Sequence, residues 1–372
     1  MSSSTRSRSR IPPLLQPVVS FPPKDSLSLL TGVLDATPHW LVSRFVGSAL
    51  DTSEESGNEV DETTNGITKV LLVSWMRDWD YWRNELRRGA GLDLARLANE
   101  GRIAFVDGVT GLFSGDSEVS SKSRNVDEQR IPSVPSRGST VLPQRGPAPT
   151  RTAAVQPARQ PLVQNTNSSP SQTSKGRSRL TSPSLPHTAE MISQTLLTLQ
   201  TSPNDKILLI LDSPTTLLST TPTSSKDLSS LILCLREKLH STLVVAESDT
   251  PFLAAANPAA FLGAGDYLTP SSQQEKNHAG TFAPLEKEIA SFVVGLGHSA
   301  RMIVGTRGLD TGVARDVSGV LRVCRGGCWD EDGEEETRSD GREETGRDME
   351  VLYHVAADGS VRVFERGGGD IG

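Results

Sequence analysis

Lys206-Ile207-Leu208-Leu209-Ile210-Leu211-Asp212 is the stretch that decides the fold. It is an unbroken aliphatic run of strand length, with a lysine before it and an acid after it. A strand exposed on one face would alternate apolar and polar residues. This one does not, so it reads as a strand buried on both faces, as in a parallel sheet covered by helices. In open α/β sheets ligands bind at the carboxyl ends of the strands. Asp212 therefore stands where a nucleoside triphosphatase keeps its magnesium-associated carboxylate.

The segments on either side repeat the pattern. Leu27 to Leu30 reads as a first strand. Thr37 is placed to cap a helix with Pro38 in its first turn, and Leu41, Phe45 and Ala49 lie at the four-residue spacing of a buried stripe. Lys69 to Ser74 is a second apolar strand. Asp78 can cap a helix bearing Trp79, Trp82 and Leu86, interrupted at Gly89 and Gly91 and continued from Leu92 to Asn99. Ile103 to Val106 is the next strand. A helix over Thr188 to Leu199 leads into the strand ending at Asp212. Ser225 to His240 is helical, with Leu228, Leu231, Ile232 and Leu235 inward. Thr242 to Ala246 is a strand ending at Glu247, and Gly263 to Gly280 reads as a loop. Leu285, Ile289, Phe292 and Leu296 mark another helix. Met302 to Gly305 and Ser318 to Val323 are strands, and Glu350 to Val355 with Val361 to Phe364 flank Asp358-Gly359 as a hairpin.

This order predicts one α/β domain: a mostly parallel sheet flanked by helices, with a C-terminal antiparallel hairpin. A RecA-type hydrolase also needs a glycine-rich turn followed by Lys and Ser/Thr after its first strand, to hold the phosphates. Here that place is Thr31-Gly32-Val33-Leu34-Asp35-Ala36-Thr37-Pro38-His39-Trp40, with one glycine, no lysine and an extra acid. Gly32, Asp35 and Thr37 are the remains of a degenerate loop, there is no Walker A motif, and Asp212 is left as a remnant acid. Without phosphate-holding partners its expected role is structural, capping the turn through Ser213-Pro214. Glu247 reads as a solvated acid rather than a catalytic base.

Composition sets the outer limits. The chain has 372 residues and a net charge of −7, so any nucleic-acid contact must come from a local patch. Three cysteines are too few for a disulfide scaffold and point to a reducing compartment. Cys324 and Cys328 lack the further ligands a zinc site needs, and the six histidines do not cluster. No metal is expected. The Ser/Arg-rich start has no apolar core of a secretory signal, and no run approaches membrane-spanning length. The cytoplasm is the expected location, with the nucleus also open.

Composition also divides the chain. Residues 1–23 read as a disordered Pro/Ser/Arg leader. Residues 24–113 and 187–366 make up the RecA-like domain. Residues 114–186 form a disordered Ser/Pro/Arg-rich insertion in which basic residues outnumber acidic ones, and 330–348 a charged loop.

The ordered parts resemble the Elongator complex protein 6 family. The resemblance rests on Leu71-Leu72-Val73-Ser74-Trp75-Met76-Arg77-Asp78-Trp79 with Tyr81-Trp82, on Gly101 to Gly108, and on Ile210-Leu211-Asp212-Ser213-Pro214. Its longest part is Leu309-Asp310-Thr311-Gly312 with Ala314 to Val323, followed by Arg325-Gly326-Gly327. It implies a RecA-like fold without the phosphate signature, in a heterohexameric ring with Elongator subunits four and five. It further implies attachment to the Elongator catalytic core, tRNA binding, and support of wobble-uridine modification carried out by another subunit. The chain itself is then expected to be no enzyme and to carry no cofactor.

On that reading Arg307 and Arg315, bracketing a glycine-containing loop, are candidates for contact with the tRNA backbone. The rival for Arg315 is a pair with Asp310 or Asp316. Trp79, Trp82 and Arg322 are interface candidates. The alternatives are an active ATPase with an unusual phosphate loop, a small-molecule enzyme on the α/β sheet, and a stand-alone RNA-binding module.

Overall fold

A computed structural model describes residues 11–51, 66–113, 175–256, 282–312, 314–328 and 348–365. The first elements are a 3-10 turn at Pro13–Leu15 and helix α1 (Gln16–Val19), followed by β1 (Ser26–Gly32), α2 (His39–Asp51) and β2 (Thr68–Ser74). Next come α3 (Trp79–Ala90), α4 (Leu94–Asn99), β3 (Ile103–Asp107), α5 (Thr110–Phe113) and β4 (Arg177–Arg179). The chain continues through α6 (Leu185–Leu199), β5 (Lys206–Asp212), α7 (Thr215–Thr220), α8 (Ser225–Arg236), β6 (Ser241–Glu247) and α9 (Thr250–Leu253). It closes with α10 (Pro284–Ser299), β7 (Met302–Arg307), β8 (Gly319–Arg325), β9 (Met349–Val355) and β10 (Val361–Glu365).

The strands form one sheet in the order β10-β9-β8-β7-β1-β6-β5-β2-β3-β4. Every pair from β7 through β1 to β4 is parallel, and β7–β8, β8–β9 and β9–β10 are antiparallel. This is the expected RecA-like arrangement. The first strand lies inside the sheet between β6 and β7, and β5, which carries Asp212, is one strand further along. The aliphatic run of β5 is divided between two cores. Leu208 and Ile210 face α2, α3 and α4, whereas Ile207, Leu209 and Leu211 face α6, α8 and α10. Full burial of each such side chain contributes roughly 1.5–3 kcal/mol. The antiparallel strands have their apolar residues Leu321, Val323, Val351, Tyr353 and Val361 in the first core. Along β8, Arg322 between them is exposed.

Local signals set the helix ends. Asp78 accepts the Tyr81 amide at 2.9 Å and caps α3, which stops at Gly91 in the left-handed region (φ 71°). Asp93 accepts the amides of Ala95 and Arg96 and starts α4. The turn between the two helices is therefore sharper than the continuous run expected from Leu92.

The structure corrects the sequence reading at two boundaries. The leader is not unstructured up to Pro23: Leu15, Val18 and Val19 are buried in the first core, and Phe21 stacks on His240 at 4.8 Å. The insertion ends earlier than Pro186. Arg177–Arg179 adds the edge strand β4, Leu180 is fully buried, and α6 opens at Leu185. Apolar side chains in a Pro-rich or Ser-rich context defeated a reading based on composition. The loop from Gly263 to Gly280, the charged loop up to Arg347 and residues 114–174 of the insertion lie outside the described residues. Among the described residues no helix is long and apolar enough to cross a membrane.

Candidate functional site

At the carboxyl edge of the parallel sheet, β1 ends in Gly32 and the chain reverses at once. Val33 and Ala36 form an antiparallel bridge, with the Ala36 amide donating to the Val33 carbonyl at 2.9 Å. The Leu34 amide donates to Asp249 Oδ1 at 3.0 Å, and Thr306 Oγ1 donates to the Ala36 carbonyl at 2.6 Å. A Cβ on Gly32 would lie 2.4 Å from Pro38 Cδ and 2.9 Å from the Ala36 oxygen. The turn is thus folded back on its own glycine, and its Leu34 and Ala36 amides already have acceptors. A phosphate cradle needs the opposite, a wide loop with several amides pointing at one point. Thr37 is exposed and α2 opens at His39, one residue later than expected from Pro38.

His39 is 5 % exposed and Asp212 0 %. Their side chains meet, His39 Nε2 to Asp212 Oδ1, at 3.0 Å. A carboxylate only accepts, so His39 Nε2 is the donor in this contact. Ser74, at the end of β2, donates from Oγ to Asp212 Oδ2 at 2.6 Å, and Ser213 Oγ lies 3.4 Å from Oδ1. Ser74 Oγ in turn accepts the Arg77 amide at 2.9 Å. Asp212 therefore does not cap the following turn, as expected from Ser213-Pro214, since α7 begins without a side-chain cap. Its carboxylate is a buried cross-link between the start of α2 and the ends of β2 and β5. The histidine that engages it opens α2, on the connection where the sequence lacks a phosphate-binding lysine.

The neighbouring strand ends are also occupied. Thr215 Oγ1 donates to Glu247, so this acid is not simply solvated. Asp107, fully buried at the end of β3, accepts the amides of Val109 and Thr110, the Thr110 hydroxyl and Arg177. Burial pushes its pKa up, but these hydrogen bonds outweigh burial and hold it below the usual carboxylate value. Ser213 has φ 54°, unusual for a residue other than glycine, and its amide reaches the Val245 carbonyl at 3.0 Å. Among the described residues no group of three or more His, Cys, Asp and Glu is placed to hold a metal ion.

The remaining candidates are dispersed. Arg307 pairs with Asp310 at 2.7 Å and Glu350 at 3.5 Å, so its charge is matched within the chain. Arg315 is exposed in the β7–β8 connection, and Arg322 is exposed on β8. Trp82 is fully buried in its own core, which removes it as an interface anchor. Trp79 is half-buried, edge-on to Phe105 at 5.6 Å, with the Arg177 guanidinium 5.5 Å from its ring centre. Sequence reasoning passed over His39 and Ser74. The only signal was a histidine in the phosphate-loop position, and its partner is 173 residues away.

No family model matches this sequence, and neither does any curated protein. Among solved structures, the crystal structure of a KaiC-like protein from the hyperthermophilic archaeon Pyrococcus horikoshii OT3 aligns over 96 % of this chain and 98 % of its own. Its identity is 12 % and its TM-score 0.44. An uncharacterized protein from Pyrococcus horikoshii, crystallised with an unknown peptide, aligns over 97 % of this chain and 100 % of its own. Identity there is 10 % and the TM-score 0.45. The fold assignment rests on the strand order above.

Proposed function

We propose that this chain is a non-catalytic RecA-like subunit of a hetero-oligomeric assembly. The observation that carries this reading is the buried cross-link of Asp212 to His39 and Ser74, beside a turn closed on Gly32. A RecA-type hydrolase needs its strand-end acid free to organise magnesium, and an open loop for phosphate. Both positions here are taken by side chains and backbone of the chain itself.

The assembly we favour is the Elongator ring with subunits four and five, joined to the Elongator core and supporting tRNA wobble-uridine modification. The resemblance at Leu71 to Trp82 and Leu309 to Val323 supports that finer reading. Arg315 is the better of the two arginine candidates for tRNA, because Arg307 has acidic partners within the chain. Affinity capture of the full-length protein from its native cell, followed by mass spectrometry, tests the proposal. Stoichiometric recovery of two further RecA-like subunits is the expected result. A chain recovered alone, or one that hydrolyses ATP when alone, would overturn it.

A further inference from the structure

β10 is the last strand of the sheet, and among the described residues nothing pairs with its outer side. The opposite rim, β4, is only three residues long. Native sheets blunt their edges with short strands, prolines, bulges or cover, because a row of free amides and carbonyls recruits another strand. β10 has neither proline nor bulge. It pairs with β9 over five residues, Val361 to Glu365, in one unbroken register.

The register shows which backbone groups are free. The Ala356 amide donates to the Ser360 carbonyl across the hairpin at 2.9 Å. On the other side of β9 the Tyr353 carbonyl accepts the Ser318 amide at 2.8 Å. Hydrogen-bonded and non-hydrogen-bonded pairs alternate along an antiparallel ladder. His354–Arg362 and Leu352–Phe364 are therefore hydrogen-bonded pairs, and the amides and carbonyls of Val361, Val363 and Glu365 point outward. The side chains of Val361 and Val363 lie against the first core. Arg362 and Phe364 stand on the opposite face, beside His354 and Leu352. Arg362 is exposed, and its neighbour on β9 is an imidazole rather than an acid.

We propose that β10 accepts an extended segment of a partner protein as a further antiparallel strand. Cross-strand complementarity sets the chemistry of that segment. Facing Glu365, Phe364, Val363, Arg362 and Val361 in turn, it carries a basic residue, two apolar residues, an acid and an apolar residue. A second copy of this chain does not supply that order. Two-fold antiparallel pairing centred on Val363 sets Arg362 opposite Phe364 and Glu365 opposite Val361. Centring it on Phe364 sets Glu365 opposite Val363. The site does not depend on the assembly proposed above, and its failure would leave that assembly standing.

The test titrates the full-length protein against a blocked, fluorescein-labelled peptide, Ser-Lys-Phe-Val-Glu-Val-Ser, and follows anisotropy. Binding should saturate, with Kd on the order of 100 µM for so short a strand. Replacing the peptide Glu by Lys should weaken binding about fivefold, and Arg362→Glu, at an exposed position, should restore it. N-methylation separates strand addition from side-chain contact alone. Methylating the amide of the first peptide Val, which faces Val363, should abolish saturable binding. Methylating the amide of the peptide Glu, which points away from β10, should change Kd by no more than about threefold. The proposal is overturned if the response does not saturate, if the Lys-substituted peptide binds the parent as tightly, or if the two methylated peptides bind alike. It is also overturned if sedimentation shows a dimer of this chain that excess peptide dissociates, because the edge then belongs to a second copy.

Discussion

Replacing Asp212 by alanine separates a structural acid from a catalytic one. Asp212 and Ser74 are 0 % exposed and His39 is 5 % exposed, so no bulk water replaces the lost carboxylate. The His39 Nε2–H and the Ser74 hydroxyl each lose their acceptor. A buried donor left unsatisfied costs roughly 1–3 kcal/mol. Ser74 keeps its bond from the Arg77 amide, and removal of a buried charge returns part of its desolvation cost. The net loss should be about 3 kcal/mol. In a unit of this size that corresponds to a fall in Tm of roughly 6–12 °C. Asp212→Asn keeps the shape and an oxygen for His39, and the Ser74 hydroxyl can rotate to accept from the new amide. It should cost only about 1 kcal/mol. Urea unfolding of the three proteins measures both values, read as midpoint shifts at constant m. An acid retained for metal or catalysis commonly sits in a strained site whose removal is neutral or stabilising. If Asp212→Ala is as stable as the parent, the cross-link reasoning is wrong.

Other perturbations have equally defined outcomes. Labelled ATP titrated against the purified chain should bind weakly or not at all, because the turn after β1 is closed on Gly32; micromolar, magnesium-dependent binding would contradict this. Replacing residues 116–172 by a short Gly/Ser bridge should leave Tm within about 10 °C of the parent, since loop length costs entropy only logarithmically and Gly111 already packs against Leu180. His240 has its pKa lowered, chiefly by burial, so the unfolded chain binds the proton more readily. Stability from this group is then full above the unfolded value of about 6.5 and declines as pH falls toward the folded value; urea midpoints at pH 7.5 and 5.5 should show that decline, and His240→Gln should reduce it. On the proposed Elongator assembly, Arg315→Glu should leave stability unchanged and weaken tRNA binding, measured by filter binding across salt concentrations. Arg307→Glu is expected to cost up to about 1 kcal/mol of stability instead, because two partly exposed ion pairs are lost.

The fold was largely legible because its signals are local. Five aliphatic residues in β5, the Asp78 and Gly91 caps of α3, and the apolar spacing of α10 each report short-range physics. What escaped was short or fell in biased composition. Leu15, Val18 and Val19 lie in a proline-rich stretch and Leu180 is a single apolar residue among serines and arginines, and α7 and α9 are too short for a periodic pattern. The candidate site was legible only as a deficiency, a turn without lysine. Its content was not, since Ser74, His39 and Asp212 come from three distant segments.

Sequence alone determined that a mostly parallel sheet would form, with Asp212 at a carboxyl edge, because the hydrophobic pattern fixes which segments are strands and which faces are buried. It also determined that the turn after β1 lacks the chemistry to hold phosphate. Only the tertiary structure decided what takes the place of that chemistry. The sheet order brings the ends of β1, β2 and β5 together, so that His39 and Ser74 close on Asp212. It also leaves β10 at the rim, with its outer side unpaired among the described residues. Hydrogen bonds and sheet edges depend on positions in space, and chain separation carries no record of them until the strands have found their neighbours.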